Sequence, residues 1–232
     1  STAKVVSRGE PAQVTLEGRY LYGAPAAGLE VAGEVIVAPA SERAGFAGYR
    51  FGLSDEQVEA TRNPLDGLPA TDSSGRASFP VNLEKVPQAT RPLEARVTVR
   101  LAEAGGRAVE RKLTLPVTAA GPMIGVRPMF SGRSLGEGEQ ATFDVVVVGP
   151  DGAALTRGGL RYELLKVETR YQWYRRDNTW DFEPVKLTRR IADGQLNATA
   201  GTPARLSLPV QWGRYRLEIS TGERDGPVTS IG

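Results

Sequence analysis

Short runs in which apolar and polar residues alternate recur along almost the whole chain, punctuated by Gly, Pro, Asn and Asp. A period of two belongs to strands with one buried face, and runs spaced this closely mark sandwiches and barrels. In the first half the runs are 12–20, 29–37, 49–53, 76–83, 93–101 and 108–117. Val14 and Leu16 share one face of the first run, and the last two flank Glu103-Ala-Gly-Gly-Arg107, whose Gly105-Gly106 pair suits a tight hairpin. Helical periodicity is confined to Ser54–Arg62, where Ser54 can cap and Gln57 takes the capping-box position, so a turn or two of helix is predicted there.

Ala119-Ala-Gly-Pro122 breaks the alternation, and neither Gly121 nor Pro122 favours the continuation of a strand. A linker is therefore placed at 118–122. Beyond it a second series runs through 123–128, 140–148, 159–168, a long hairpin at 166–188, 204–210 and 213–220. The two series correspond in order: the strand led by Val14, Gly28–Val35 and Arg76–Val81 match the strand led by Phe143, Gly159–Leu164 and Ala204–Val210. A repeat of this length is too long for a solenoid unit and fits tandem domains. The expected architecture is all-β: two tandem immunoglobulin-like, seven-stranded antiparallel β-sandwiches, 1–119 and 122–232. Each half is expected to fold alone, with its own cooperative unfolding transition.

Composition supports a folded chain and removes most chemistry. Of the 232 residues 40% are hydrophobic and 24% charged, ordinary values for globular domains. The 29 basic and 27 acidic residues are interspersed, so the net charge of +2 carries no clustered basic face and no nucleic-acid partner is expected. Cysteine and histidine are both absent, which removes thiolate and imidazole nucleophiles and bases, the Ser-His-Asp triad and the usual zinc sites. No cofactor, metal site or catalytic residue is expected. No apolar run is long enough to span a bilayer, and the first residues lack a signal-peptide core. The termini read as cuts within a longer protein, so targeting signals are expected outside these residues.

The most distinctive segment is Tyr171-Gln-Trp-Tyr-Arg-Arg-Asp-Asn-Thr-Trp-Asp-Phe-Glu183. With Asp177-Asn178 as a two-residue turn, Arg175 faces Trp180 and Trp173 faces Phe182, which makes a ladder of Tyr171, Trp173, Arg175, Trp180 and Phe182 on one surface of the ribbon. Two readings apply. The rings are a stacking platform for a sugar, a base or a partner protein, or they pack against their own sandwich or a neighbouring domain, the more common fate of such residues. The acid pairs Glu137/Glu139 and Asp177/Asp181 lack the defined cleft of a glycosidase. Asp151-Gly152 and Asp193-Gly194 suit turns rather than calcium loops, and Gly132–Gly138 lacks the Lys-Ser/Thr of a phosphate loop.

At Tyr22-Gly-Ala-Pro-Ala-Ala-Gly-Leu-Glu-Val-Ala-Gly-Glu-Val35 the sequence resembles a macroglobulin domain of the bacterial alpha-2-macroglobulins, in which such a turn precedes an inner strand. Tyr171-Gln-Trp-Tyr174, Trp180-Asp-Phe-Glu-Pro184 and Trp212-Gly-Arg-Tyr-Arg-Leu-Glu-Ile219 extend the resemblance over most of the chain. It implies structural, non-enzymatic domains of a protease inhibitor that traps its target after bait cleavage. The implied partners are other domains of the parent chain and the trapped proteases. The implied location is the periplasm, ahead of an extracellular one, with any membrane contact made through a lipid anchor outside these residues. The family's thioester needs a cysteine that this chain lacks, so that chemistry is expected elsewhere. Loops 38–48 and 58–75 are the only stretches comparable to a bait, and both are short.

Overall fold

The computed structural model describes residues 5–103, 106, 108–132, 134–136, 138–176 and 179–232, and among them it contains strands and no helix. In chain order the strands are β1 (Ala12–Glu17), β2 (Glu30–Pro39), β3 (Arg50–Phe51), β4 (Thr61–Leu65), β5 (Arg76–Val81), β6 (Leu93–Ala102), β7 (Val109–Pro116) and β8 (Met123–Pro128). They continue as β9 (Gln140–Val148), β10 (Ala154–Leu155), β11 (Arg157–Arg176), β12 (Thr179–Ala198), β13 (Ala204–Pro209), β14 (Arg214–Ser220) and β15 (Val228–Ile231). The chain divides into two compact units, Ser1–Ala44 with Gln57–Ala120, and Gly45–Glu56 with Gly121–Gly232.

In the first unit the sheet β4-β2-β6-β7 faces the pair β1-β5, all antiparallel. Alternation decides what lies between them: Ala77, Phe79 and Val81 of β5 turn inward while Arg76, Ser78 and Pro80 are exposed. Val14 lies opposite Phe79, and Val35 lies opposite Val97. These residues join Val37, Val99 and Leu115 in one core. The predicted hairpin forms between β6 and β7, with Leu101 paired to Val109, although Gly105 of its turn lies outside the described residues. The segment 58–75, weighed as a bait, contributes β4, and Thr71 within it is buried with its hydroxyl donating to Ala26 O at 2.6 Å.

The second unit packs the sheet β10-β9-β8-β3, with β13 also on β9, against β12-β11-β14-β15. Ile124, Val126, Phe143, Val145, Leu160, Leu164, Leu217 and Ile219 fill the space between the sheets. Where seven strands per sandwich were expected, the described residues supply six to the first unit and nine to the second. One reason is β3, which belongs by sequence to the first half. It pairs with β8 through Arg50–Val126 and Phe51–Gly125. The same segment bonds β15 of the opposite sheet. Thr229 Oγ1 donates to Ile124 O at 2.5 Å and accepts from Gly52 N–H at 3.0 Å. Ser230 N–H donates to Gly52 O at 3.1 Å, and Ser54 N–H donates to Ser230 Oγ at 2.9 Å. Gly45–Glu56 is thus a strap that closes one side of the second sandwich. The helical turn predicted over Ser54–Arg62 does not form, because Ser54 spends its hydrogen bonds on β15 and Thr61 already begins β4.

Candidate interaction surface

The long hairpin β11–β12 positions the aromatic ladder. Its register pairs Trp173 with Phe182 and Arg175 with Trp180, as the sequence reading has it, while the turn residues Asp177 and Asn178 lie outside the described set. β14 accompanies β11 only from Arg161 to Val167. Beyond Val167 the hairpin continues as a two-stranded ribbon for roughly 30 Å, at ~3.4 Å per residue.

The pleat decides which way the rings face. Leu160, Tyr162 and Leu164 point into the core, so the odd-numbered positions of β11 point away from it. Tyr171, Trp173 and Arg175 therefore stand on the outward face, with Phe182 and Trp180 opposite them on β12. The rings stay exposed: Tyr171 60%, Trp173 62%, Trp180 66% and Phe182 49%. The expectation that the ladder packs on its own sandwich is not met, because the pleat aims it outward and β14 ends before reaching it. The rings do meet one another. Tyr171 and Phe182 are edge to face at 5.5 Å, and Trp173 is tilted by 49° against Phe182 at 5.2 Å.

The acids of the ribbon keep to one face, where Arg170 accompanies them with its Nη2 3.9 Å from Glu168 Oε2. Glu168, Asp181 and Glu183 pair in register with residues of the face opposite the rings, where Tyr174 Oη donates to Asp181 Oδ2 at 3.4 Å. The Asp181 carboxylate, aided by burial, pushes the Tyr174 phenol pKa upward. Between Thr169 and Phe182, Arg175 is the charged side chain on the ring face among the described residues.

Two exposed aromatic residues, Trp212 and Tyr22, and the half-buried Tyr20 beside Tyr22, are not among the interaction candidates the sequence offers. Trp212 is 84% exposed in the turn before β14, and Tyr20 and Tyr22 stack in parallel at 5.4 Å in the loop after β1. For Trp212 and Tyr22 the one signal was a turn position next to glycine. Of the acid pairs weighed, Glu137 and Asp177 lie outside the described residues, and no group of three or more acidic residues that could hold a metal occurs among the described ones.

Among the described residues of the second unit, Asp144 is the buried charge. Asp144 on β9 accepts from Arg127 Nη2 at 2.9 Å and Arg205 Nε at 3.0 Å, and Arg127 lies 4.7 Å over the ring of Tyr49 on the strap. Burial raises the Asp144 pKa, but the hydrogen bonds from Arg205 and Arg127 outweigh it and hold the carboxyl below its ordinary value. With every oxygen engaged by guanidinium groups, this carboxylate is a structural tie between β8, β9 and β13.

Comparison with known proteins agrees with this architecture. The profile of the bacterial alpha-2-macroglobulin MG5 domain matches residues 1–119, and that of bacterial macroglobulin domain 6 matches 125–232. The alpha-2-macroglobulin of Xylella fastidiosa (strain 9a5c) is 30% identical over 226 residues, covering 94% of this chain and 14% of that protein. That of Escherichia coli (strain K12) is 30% identical over 220 residues, covering 87% of this chain and 13% of its own length. The crystal structure of Salmonella alpha-2-macroglobulin reacted with methylamine superposes with a TM-score of 0.72 at 24% identity, covering 98% of this chain and 16% of that one. The chain thus spans about one seventh of the curated relatives it matches. It belongs to the bacterial alpha-2-macroglobulin family, as an MG5 domain followed by macroglobulin domain 6.

Proposed function

We propose that these two sandwiches are frame domains of a protease-trapping inhibitor located in the periplasm, where the parent chain is held by a lipid anchor outside these residues. The observation that carries this reading is the match of two consecutive macroglobulin-domain profiles along the chain. The side-chain chemistry supports it. The buried polar groups Asn63, Thr71, Asp144, Thr229 and Ser230 bond backbone or guanidinium groups and serve the fold. The role is non-enzymatic. Any thioester chemistry belongs to other segments of the parent, since this chain has no cysteine, and the bait is assigned there too. Loops 38–48 and 58–75 do not serve as bait on this reading, because β2 and the strap take up about half of the first, and β4 and the buried Thr71 tie down the second.

The test uses the full-length protein with a small excess of an ordinary endopeptidase. A compact complex that still cleaves small substrates but not large ones is expected after bait cleavage. The 232 residues alone are expected to leave the same protease fully active. Inhibition of several unrelated proteases by these two domains by themselves would refute the frame role.

A further inference from the structure

The ribbon's ring face lacks an occupant within its own sandwich, and its features define what would fit. Four large rings, each half to two-thirds exposed, lie along one face of a ribbon that, among the described residues, has no third strand beside it. Contiguous exposed apolar patches of this kind mark interaction sites, and Trp, Tyr and Arg are the residue types that anchor protein interfaces. An isolated two-stranded ribbon is itself only marginally stable in water, so a bound surface would also order it.

The ring geometry separates the possible occupants. A pyranose ring stacks on a flat aromatic face, whereas here Tyr171 and Phe182 meet edge to face and Trp173 is tilted by 49° against Phe182. Such a corrugated cluster suits the interdigitating side chains of a protein. The charge on the ring face adds a second criterion, since Arg170 lies on the far face, 3.9 Å from Glu168. The acids of the ribbon at Glu168, Asp181 and Glu183 lie on the far face, and Arg175 stands among the rings. An apolar surface rimmed by carboxylates complements that arrangement, and a basic one is repelled by it. Finally, about six sevenths of the curated relatives' length lies outside the matched region, and a domain tethered in the same chain competes at high effective concentration.

We propose that Tyr171, Trp173, Trp180 and Phe182, with Arg175, form a docking surface for another globular domain of the same parent chain, one that presents an apolar patch rimmed by Asp or Glu. This rests on the chain's place in a longer multidomain protein and is independent of whether that protein traps proteases.

Hydroxyl-radical footprinting of Trp173 and Trp180 tests it, comparing the full-length protein with the 232-residue chain. In the full-length protein both indoles are expected to oxidise at least fivefold more slowly. Arg175→Glu in the full-length protein is expected to return their oxidation toward the rate of the short chain, while Arg175→Lys keeps the protection. Equal rates in the two proteins would overturn the proposal, as would protection that appears only at concentrations where the full-length protein self-associates. Protection conferred on the short chain by added oligosaccharides would overturn it in favour of a glycan platform. Protection unchanged by Arg175→Glu would overturn the acidic rim. A protein that protects these indoles yet traps no protease would leave the docking surface standing and remove the frame function instead.

Discussion

At the scale of single residues, two positions on the β8–β9 sheet carry sharp expectations. Asp144 is buried between two guanidinium groups that are partly exposed, so Asp144→Ala is expected to cost about 1–3 kcal/mol by removing the hydrogen bonds to Arg127 and Arg205. Its native pKa lies below the ordinary aspartate value of 3.8, so its contribution is present above that value and is lost as pH falls through the native one. Urea unfolding of wild type and Asp144→Asn across acidic pH checks the sign. Their difference should be constant near neutrality and shrink below about pH 3.8, and a gap that widens in acid would contradict it. Gly125 lies beneath the strap's Phe51. A Cβ there would lie 2.8 Å from the Phe51 ring and 3.0 Å from Val146, so Gly125→Ala is expected to cost about 1–3 kcal/mol. Because the clash is with Phe51, a double-mutant cycle with Phe51→Ala should show strong coupling. Additive effects would mean that the strap does not press on this strand.

At the scale of elements, the strap separates what was legible in the sequence from what was not. Period-two runs located most strands, because each sandwich strand buries one face, and the register at Trp173 and Phe182 followed from counting back from Asp177-Asn178. The helical turn at Ser54 was misread because a capping pattern is local, whereas its hydrogen bonds go to Ser230, 176 residues away. One signal for the strap was present. Asp144-Val-Val-Val-Val148 is a continuous run, every member of which is buried. A strand that reads so is covered on both faces, and the strap's Tyr49 and Phe51 provide cover over Arg127 and Gly125. A partner for the ribbon's ring face had no such signal, because alternation reports burial within a sandwich only. Residues 121–232 produced without the strap should therefore bind a hydrophobic dye and melt at a lower temperature than the same residues supplied with a peptide of 45–56. Identical melting with and without that peptide would show the strap to be dispensable.

At the scale of the whole chain, connectivity alters the expectation that each half unfolds independently. The polypeptide enters the second unit at Gly45, leaves it after Glu56, and returns for good at Gly121. Both ends of the strap are held by the first sandwich, through β2 on one side and β4 on the other. When that sandwich is folded the strap is presented with its ends fixed. When it is unfolded the strap hangs in a flexible loop and docks at an entropic cost. The second unit should then lose part of its stability whenever the first one melts, although no side chain of the second unit has changed. Phe79→Ala empties a core position in the first sandwich and is expected to cost that unit roughly 3–5 kcal/mol. Mild urea that unfolds the variant's first sandwich should lower amide-exchange protection in β8 and β15, the strands that bond the strap, by about tenfold relative to wild type, within the usual range for coupling between sites. Cutting the chain between Glu56 and Gln57 should abolish part of that response, because one end of the strap is then released in either state. If β8 and β15 keep full protection while the first sandwich is unfolded, the two sandwiches are energetically separate despite the exchanged strand, and the strap is only an edge strand borrowed along the chain.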